Sequence, residues 1–304
     1  MRPPPPLSKL RSYPVTGGIA LLAVAVSVGW WMQKFPVYRL EMSILAWHGQ
    51  PWRLWTSALP HVNVLHLAFD VYWFWVFGTL VEEAFGPLVT LGLYLVLAAG
   101  SAMAEFAVAR GGVGLSGVGY GLFAFLWVLS RRSPRFAGVV DKQTIQLFVA
   151  WFFICVALTA ANAMPVANMA HASGAALGAS IGYAACARAG RRLAAGGLVA
   201  ALLAIFVACA TVLRPRVNLS RFGNLDEFRL GYDALVAKQN DVAARYLRLA
   251  ASYRQADATC WFDLGIAYER LGQRSDATNA FQPALTLQPG SAKDQHALRS
   301  VQDH

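Results

Sequence analysis

Seven apolar stretches in the first 213 residues leave this chain few folds to choose from: roughly Gly17–Met32, Val62–Val81, Leu88–Ala109, Ser116–Ser130, Ile145–Ala161, Ala167–Ala187 and Leu193–Leu213. Most approach the ~20 residues that an α-helix needs to cross ~30 Å of hydrocarbon, although those beginning at Ser116 and Ile145 are shorter. Lipid offers no partner to a bare backbone amide, so stretches of this kind become helices. The fold class expected is all-α, a polytopic membrane bundle of seven spans. Composition agrees, with 57% hydrophobic and only 14% charged residues among 304, against about 25% charged in soluble domains.

The formal charge of +10 invites a nucleic-acid reading, which its distribution removes. From Arg214 onward 12 of the 26 Lys and Arg accompany 10 of the 16 acids, so that part is nearly neutral. The remaining basic residues mostly flank apolar stretches, as positive-inside topology requires. Arg131, Arg132, Arg135 and Lys142 fall between the fourth and fifth spans, and Arg188, Arg191 and Arg192 between the sixth and seventh. Both groups belong on the cytoplasmic side with the N-terminus, and an odd number of spans puts the C-terminal tail on the other face. No nucleic-acid partner is expected; the bilayer is. Cys155, Cys186, Cys209 and Cys260 show no CxxC spacing and read as small buried hydrophobes.

Residues 1–16, with a four-proline run beside Arg2, Lys9 and Arg11, read as an extended cytoplasmic arm. Residues 17–213 form the membrane domain. Ser27-Val28-Gly29 is a weak small-x-small site, but it lies inside the apolar stretch, so the first span is read as retained. The loop from Lys34 to Ser57, with Trp47, Trp52 and Trp55, has the amphipathic character of an interfacial segment.

Residues 214–304 change character and read as a soluble helical domain. Trp261, Leu264, Gly265, Tyr268, Ala277, Phe281, Ala284 and Pro289 have the spacing of the 34-residue tetratricopeptide repeat, and Leu230, Gly231, Ala234, Ala243, Leu247 and Ala250 stand one register earlier. Two repeats, about 224–257 and 258–291, are thus expected, with residues 292–301 as a closing helix. Two is below the usual minimum of about three, so the tail is expected to lean on another surface and to bind a protein partner.

Polar residues inside membrane spans are costly and mark functional sites. Inside or at the ends of the spans here are His61, His66 and Asp70 on the second, Ser116 on the fourth and His171 on the sixth. Ser116 follows a glycine-rich turn, GGVGLSG, and opens an apolar stretch; a hydroxyl there becomes a nucleophile only beside a base. His171 opens the sixth span in the same way. Gly117 and Gly121 on one stretch, and Gly174, Ala175, Gly178 and Gly182 on the other, let two helices approach closely enough for Ser116 to meet His171. No strand precedes the serine and position 118 is Val118, which removes the soluble-hydrolase elbow GxSxG. His61, His66 and Asp70 lack a further ligand for a metal, and no cofactor is expected.

WRLWT, HVNVLHLAFD, the VEEAFG turn, GLSG followed by Tyr120, and AHASG occur in this order on successive spans from Trp52 to Tyr183. In this the chain resembles the rhomboid family of intramembrane serine proteases. The resemblance implies a six-helix core with a serine–histidine dyad below the membrane surface, reached by water from the non-cytoplasmic side. Ser116 would be the nucleophile and His171 the general base. Gly114 would shape the loop, the Ser116 amide and the His66 side chain would serve the oxyanion, and Tyr120 would pack on His171. The seventh span and the tail would be additions to that core. Asp70 stands where the family usually has asparagine; it would pair with His66, point away, or donate to the oxyanion if protonated. The function implied is hydrolysis of a peptide bond in transmembrane protein substrates, at the bacterial inner membrane. The alternative, motivated by Asp70, is a catalytically silent binder that recruits partners through its tail.

Overall fold

The computed structural model describes residues 4–302 and divides into two compact units, Met1–Thr211 and Val212–His304. The described residues are helical, with no strand among them. In the first unit the long helices are α1 (Pro14–Trp31), α2 (Val64–Phe85), α3 (Pro87–Val108), α4 (Ser116–Arg132), α5 (Lys142–Ala160), α6 (Asn168–Cys186) and α7 (Ala189–Ala210). One long helix forms at each apolar stretch.

Five of these, α1, α2, α3, α5 and α7, are long and apolar enough to cross a membrane. The other two, α4 and α6, fall short of the same measure of length and apolar composition. The reason lies in their position. In α4 every residue from Gly117 to Leu126 is buried, and α6 buries His171, Ser173, Gly174, Leu177, Gly178 and Gly182. Helices packed largely against other helices can trade large apolar side chains for small and polar ones.

Two more boundaries differ from the sequence reading. Leu7–Ser12 forms a 3-10 helix where an extended arm was expected; the preceding Pro6 is extended, so the prolines act only up to that point. α7 starts at Ala189, so Arg191 and Arg192 belong to its first turn, where Arg192 Nε donates to the Ala187 carbonyl at 3.2 Å. The tryptophan-rich loop folds into short turns at Val37–Arg39, Ile44–Trp47 and Arg53–Thr56. Arg53 is buried there, its Nη1 donating to the carbonyls of Tyr38 at 2.6 Å and Glu41 at 2.8 Å.

Helix starts need partners for orphan amides. Asn63 caps α2 by accepting from the His66 amide at 2.9 Å, and Asp141 caps α5 through the Thr144 amide at 2.8 Å. α1 borrows its cap from α2, since Glu82 accepts from the amides of Val15 (3.0 Å) and Thr16 (2.8 Å) and from the Thr16 hydroxyl (2.7 Å).

The closest packing joins α4 to α6. A Cβ on Gly174 would collide with the Gly117 carbonyl, one on Gly178 with that of Gly121, and one on Gly182 would lie 2.8 Å from that of Phe125. Lipid supplies little hydrophobic drive between helices, so this backbone approach gains its stability from dispersion contacts that larger residues would forfeit.

In the second unit, α8 (Leu225–Val236), α9 (Asn240–Ala251), α10 (Ala258–Arg270), α11 (Arg274–Leu287) and α12 (Ala292–Gln302) pack each against the next. Gly231 faces Leu247 and Gly265 faces Phe281 so closely that neither has room for a Cβ. Both the glycines (265 − 231) and their partners (281 − 247) stand 34 residues apart. Before α8, the buried Arg214 donates to Glu227 at 2.7 Å, and Tyr253 donates to the same carboxylate at 2.6 Å.

Gly178→Val is expected to force α4 and α6 apart and to destabilise the membrane unit by about 1–3 kcal/mol or more. The measurement is the thermal midpoint of the detergent-solubilised full chain; an unchanged midpoint would show that the helices do not depend on this contact.

Candidate active site

Ser116 is the first residue of α4, reached through a loop with two left-handed glycines, Gly111 (φ 110°) and Gly114 (φ 119°). The Gly114 amide donates to the Ser57 carbonyl at 3.1 Å, which fixes the loop from one side. A Cβ on Gly114 would lie 2.8 Å from His66 Nε2 and 3.1 Å from Asp70 Oδ2, so this position requires glycine for its space as well as its backbone.

His61 braces the loop from the other side. It is fully buried, and its Nε2 accepts from the Leu115 amide at 3.1 Å, directly before Ser116. Its Nδ1 lies 2.9 Å from the Leu59 carbonyl. Since that carbonyl only accepts, the ring is the tautomer with its proton on Nδ1. The sequence had marked His61 as a costly polar residue without giving it a role.

Ser116 Oγ lies 2.8 Å from His171 Nε2, across 55 residues of chain. His171 is buried and stacks on Tyr120, with ring centroids 4.6 Å apart and planes at 21°, and the Tyr120 hydroxyl donates to the Phe148 carbonyl of α5 at 3.1 Å. His171 Nδ1 has no hydrogen-bond partner among the described residues. The arrangement is therefore a pair, with no carboxylate behind the imidazole. With Nδ1 protonated, Nε2 is left to accept from the serine hydroxyl and can take its proton when Oγ attacks an electrophile.

Asp70 stands apart from that pair. It is buried, and its Oδ2 lies 3.3 Å from His61 Nε2 and 3.2 Å from His66 Nε2, without a well-formed hydrogen bond. His61 cannot supply a proton there, because its Nε2 already accepts from Leu115. A proton between Asp70 and the histidines thus comes from His66 Nε2 or sits on the carboxyl itself. When His66 spends Nε2–H on Asp70, only Nδ1 of its cationic form remains to donate elsewhere. The same bookkeeping bears on a metal: His61, His66 and Asp70 form a cluster with ligand atoms within 4.8 Å of one another, but the His61 Nε2 lone pair is occupied by Leu115, which leaves two ligands.

A small cavity adjoins Ser116, lined by Ser57, Ala98, Ser101, Glu105, Gly112 and Ala170. Glu105, which the sequence reading passed over, is buried and accepts from the Ala170 amide at 3.0 Å. A lone acid among apolar residues of a span was the signal that could have found it.

Helical bundle and site together define a class, an all-helical membrane protein with a serine–histidine pair at the ends of two inner helices. Residues 48–188 match the rhomboid domain. Rhomboid protease GlpG of Enterobacter sp. (strain 638) is 31% identical over 156 residues, which cover 47% of this chain and 54% of the relative. Rhomboid protease GlpG of Photorhabdus laumondii is 32% identical over 172 residues, 54% of this chain and 59% of the relative. That of Klebsiella pneumoniae (strain 342) is 28% identical over 183 residues, 56% and 62% respectively. The chain spans just over half the length of these curated relatives. The matched segment contains His61, His66, Asp70, Gly114, Ser116, Tyr120 and His171. With the apolar helices, it supports an integral membrane protein that is similar over this segment to the rhomboid domain.

Gly114→Ala is expected to strain the loop and displace His66, costing about 1–3 kcal/mol. Amide hydrogen exchange across residues 111–116 should quicken; exchange at the wild-type rate would show that the loop tolerates a side chain.

Proposed function

We propose that this chain is an intramembrane serine endopeptidase that hydrolyses a peptide bond in transmembrane protein substrates without a cofactor. The observation that carries the reading is the 2.8 Å contact between Ser116 Oγ and His171 Nε2, inside a segment that matches the rhomboid domain. The three relatives bear the name rhomboid protease, and their similarity favours a protease over a silent binder.

In this reading His171 takes the serine proton as Oγ adds to the scissile carbonyl and returns it to the leaving amine. Water then hydrolyses the acyl-enzyme by the same route in reverse. The developing oxyanion is met by the Ser116 amide, free of an intrahelical acceptor because the first bond of α4 runs from the Gly119 amide to the Leu115 carbonyl. The His66 side chain is the second donor, with Asp70 Oδ2 3.2 Å from its Nε2. Asp70 thus places a carboxyl group where the family resembled usually has a neutral amide donor. Tyr120 holds the imidazole plane and Gly114 gives the loop room.

The tail, in the same proposal, is a pair of tetratricopeptide-like repeats, 224–257 and 258–291, supported by the 34-residue recurrence of the Gly231–Leu247 and Gly265–Phe281 contacts. It would hold a protein partner on the non-cytoplasmic face, with the N-terminus cytoplasmic as the basic loops require.

The test is labelling by a fluorophosphonate probe, together with cleavage of a transmembrane reporter, on the purified full chain. Ser116→Ala and His171→Ala should each lower both signals by at least about 10³-fold while the protein stays folded. Asp70→Asn restores an amide donor and should raise the labelling rate severalfold. A wild type that does not label, beside an Asp70→Asn that does, would mean that the aspartate silences the site and the chain acts as a binder.

A further inference from the structure

α6 begins without a cap of its own. Its N-cap position is Ala167, whose methyl group offers no oxygen, so it makes no side-chain cap; the Asn168 amide donates to the Val166 carbonyl at 2.9 Å. Two neighbouring helices nonetheless hold this end, one at the approach to the turn and one at the amides of the turn itself. Thr159 of α5 accepts through Oγ1 from Asn168 Nδ2 at 2.8 Å and from the Val166 amide at 3.2 Å. Glu105 of α3, only 6% exposed, accepts from the Ala170 amide at 3.0 Å, and the Met169 amide is turned to the same carboxylate. Ala170 immediately precedes His171.

Glu105 also borders the other half of the pair. A Cβ on Gly112, in the loop leading to Ser116, would lie 3.6 Å from Glu105 Cγ and 2.8 Å from the Ala167 Cβ. The buried Glu105 therefore bonds through its carboxylate to the turn that carries His171 and lies with its methylene stem beside the loop that delivers Ser116. A helix N-terminus is electropositive, so a carboxylate there gains from the helix dipole as well as from its hydrogen bonds. In an interior poor in water, removing it leaves amides without partners and the turn free to shift.

We propose that Glu105 is a positioning residue for the Ser116–His171 pair, acting by capping α6 so that His171 Nε2 stays in line with Ser116 Oγ. The inference rests on reading that pair as catalytic. A cap that served stability alone would change the melting point and leave the rate per folded molecule untouched. A positioning cap changes that rate without changing probe affinity, because a misplacement of about 1 Å costs on the order of 10²-fold.

The experiment measures fluorophosphonate labelling per folded molecule in the detergent-solubilised full chain, resolved into KI and the inactivation rate. The variants are Glu105→Ala, Glu105→Asp, which keeps the charge but falls one methylene short of the turn, and Glu105→Gln, whose amide oxygen still reaches it. Hydrogen exchange of residues 168–172 is followed in parallel. Ala and Asp should slow inactivation by about 10–100-fold at unchanged KI and quicken exchange, and Gln should stay within about threefold of wild type on both. Wild-type inactivation rates in Ala or Asp would overturn the proposal, as would a Gln variant as slow as Ala. A wild type that takes up no probe, while exchange quickens in Ala and Asp, would overturn the catalytic reading and uphold the cap.

Discussion

The close approach of α4 and α6 is the contact on which the rest of the membrane unit depends. Its glycines press against the carbonyls of the facing helix, at Gly174 on Gly117 and Gly178 on Gly121. Ser116 and His171 open these two helices, so their contact at 2.8 Å follows from the backbone approach beneath them. Wider helices would place the same residues out of reach of each other.

Burial then makes every polar group near the pair answerable to a neighbour. The loop before Ser116 is pinned at Gly114 by the Ser57 carbonyl and at Leu115 by His61. α1 and α6 are both capped by carboxylates from other helices, Glu82 and Glu105. The exceptions are informative. His171 Nδ1 and Asp70 Oδ2 lack hydrogen-bond partners among the described residues; the first has no carboxylate behind the imidazole, and the second marks the place where this chain departs from the asparagine usual in the family it resembles.

Much of this was legible in the sequence because the bilayer fixes helix length and confines polar residues to a few places. The apolar stretches foretold the seven helices, and the marked residues Ser116, His171, His66, Asp70, Gly114 and Tyr120 lie around one loop and two helix ends. Two of the seven helices, α4 and α6, are less apolar or shorter than the others because they pack largely against protein. Glu105 passed unnoticed because nothing in its own helix marks it as a cap for α6.

By itself the sequence determined the helical membrane class, the order of the helices and the small-residue faces, all of which are set by local composition and a fixed helical period. Tertiary structure alone decided that Leu115 binds His61, 54 residues away, and that Glu105 caps a helix start 65 residues on. It likewise decided that Asp70 faces two histidines rather than the serine. A hydrogen bond depends on distance and direction in space, and between residues so far apart in the chain only the packed fold sets either.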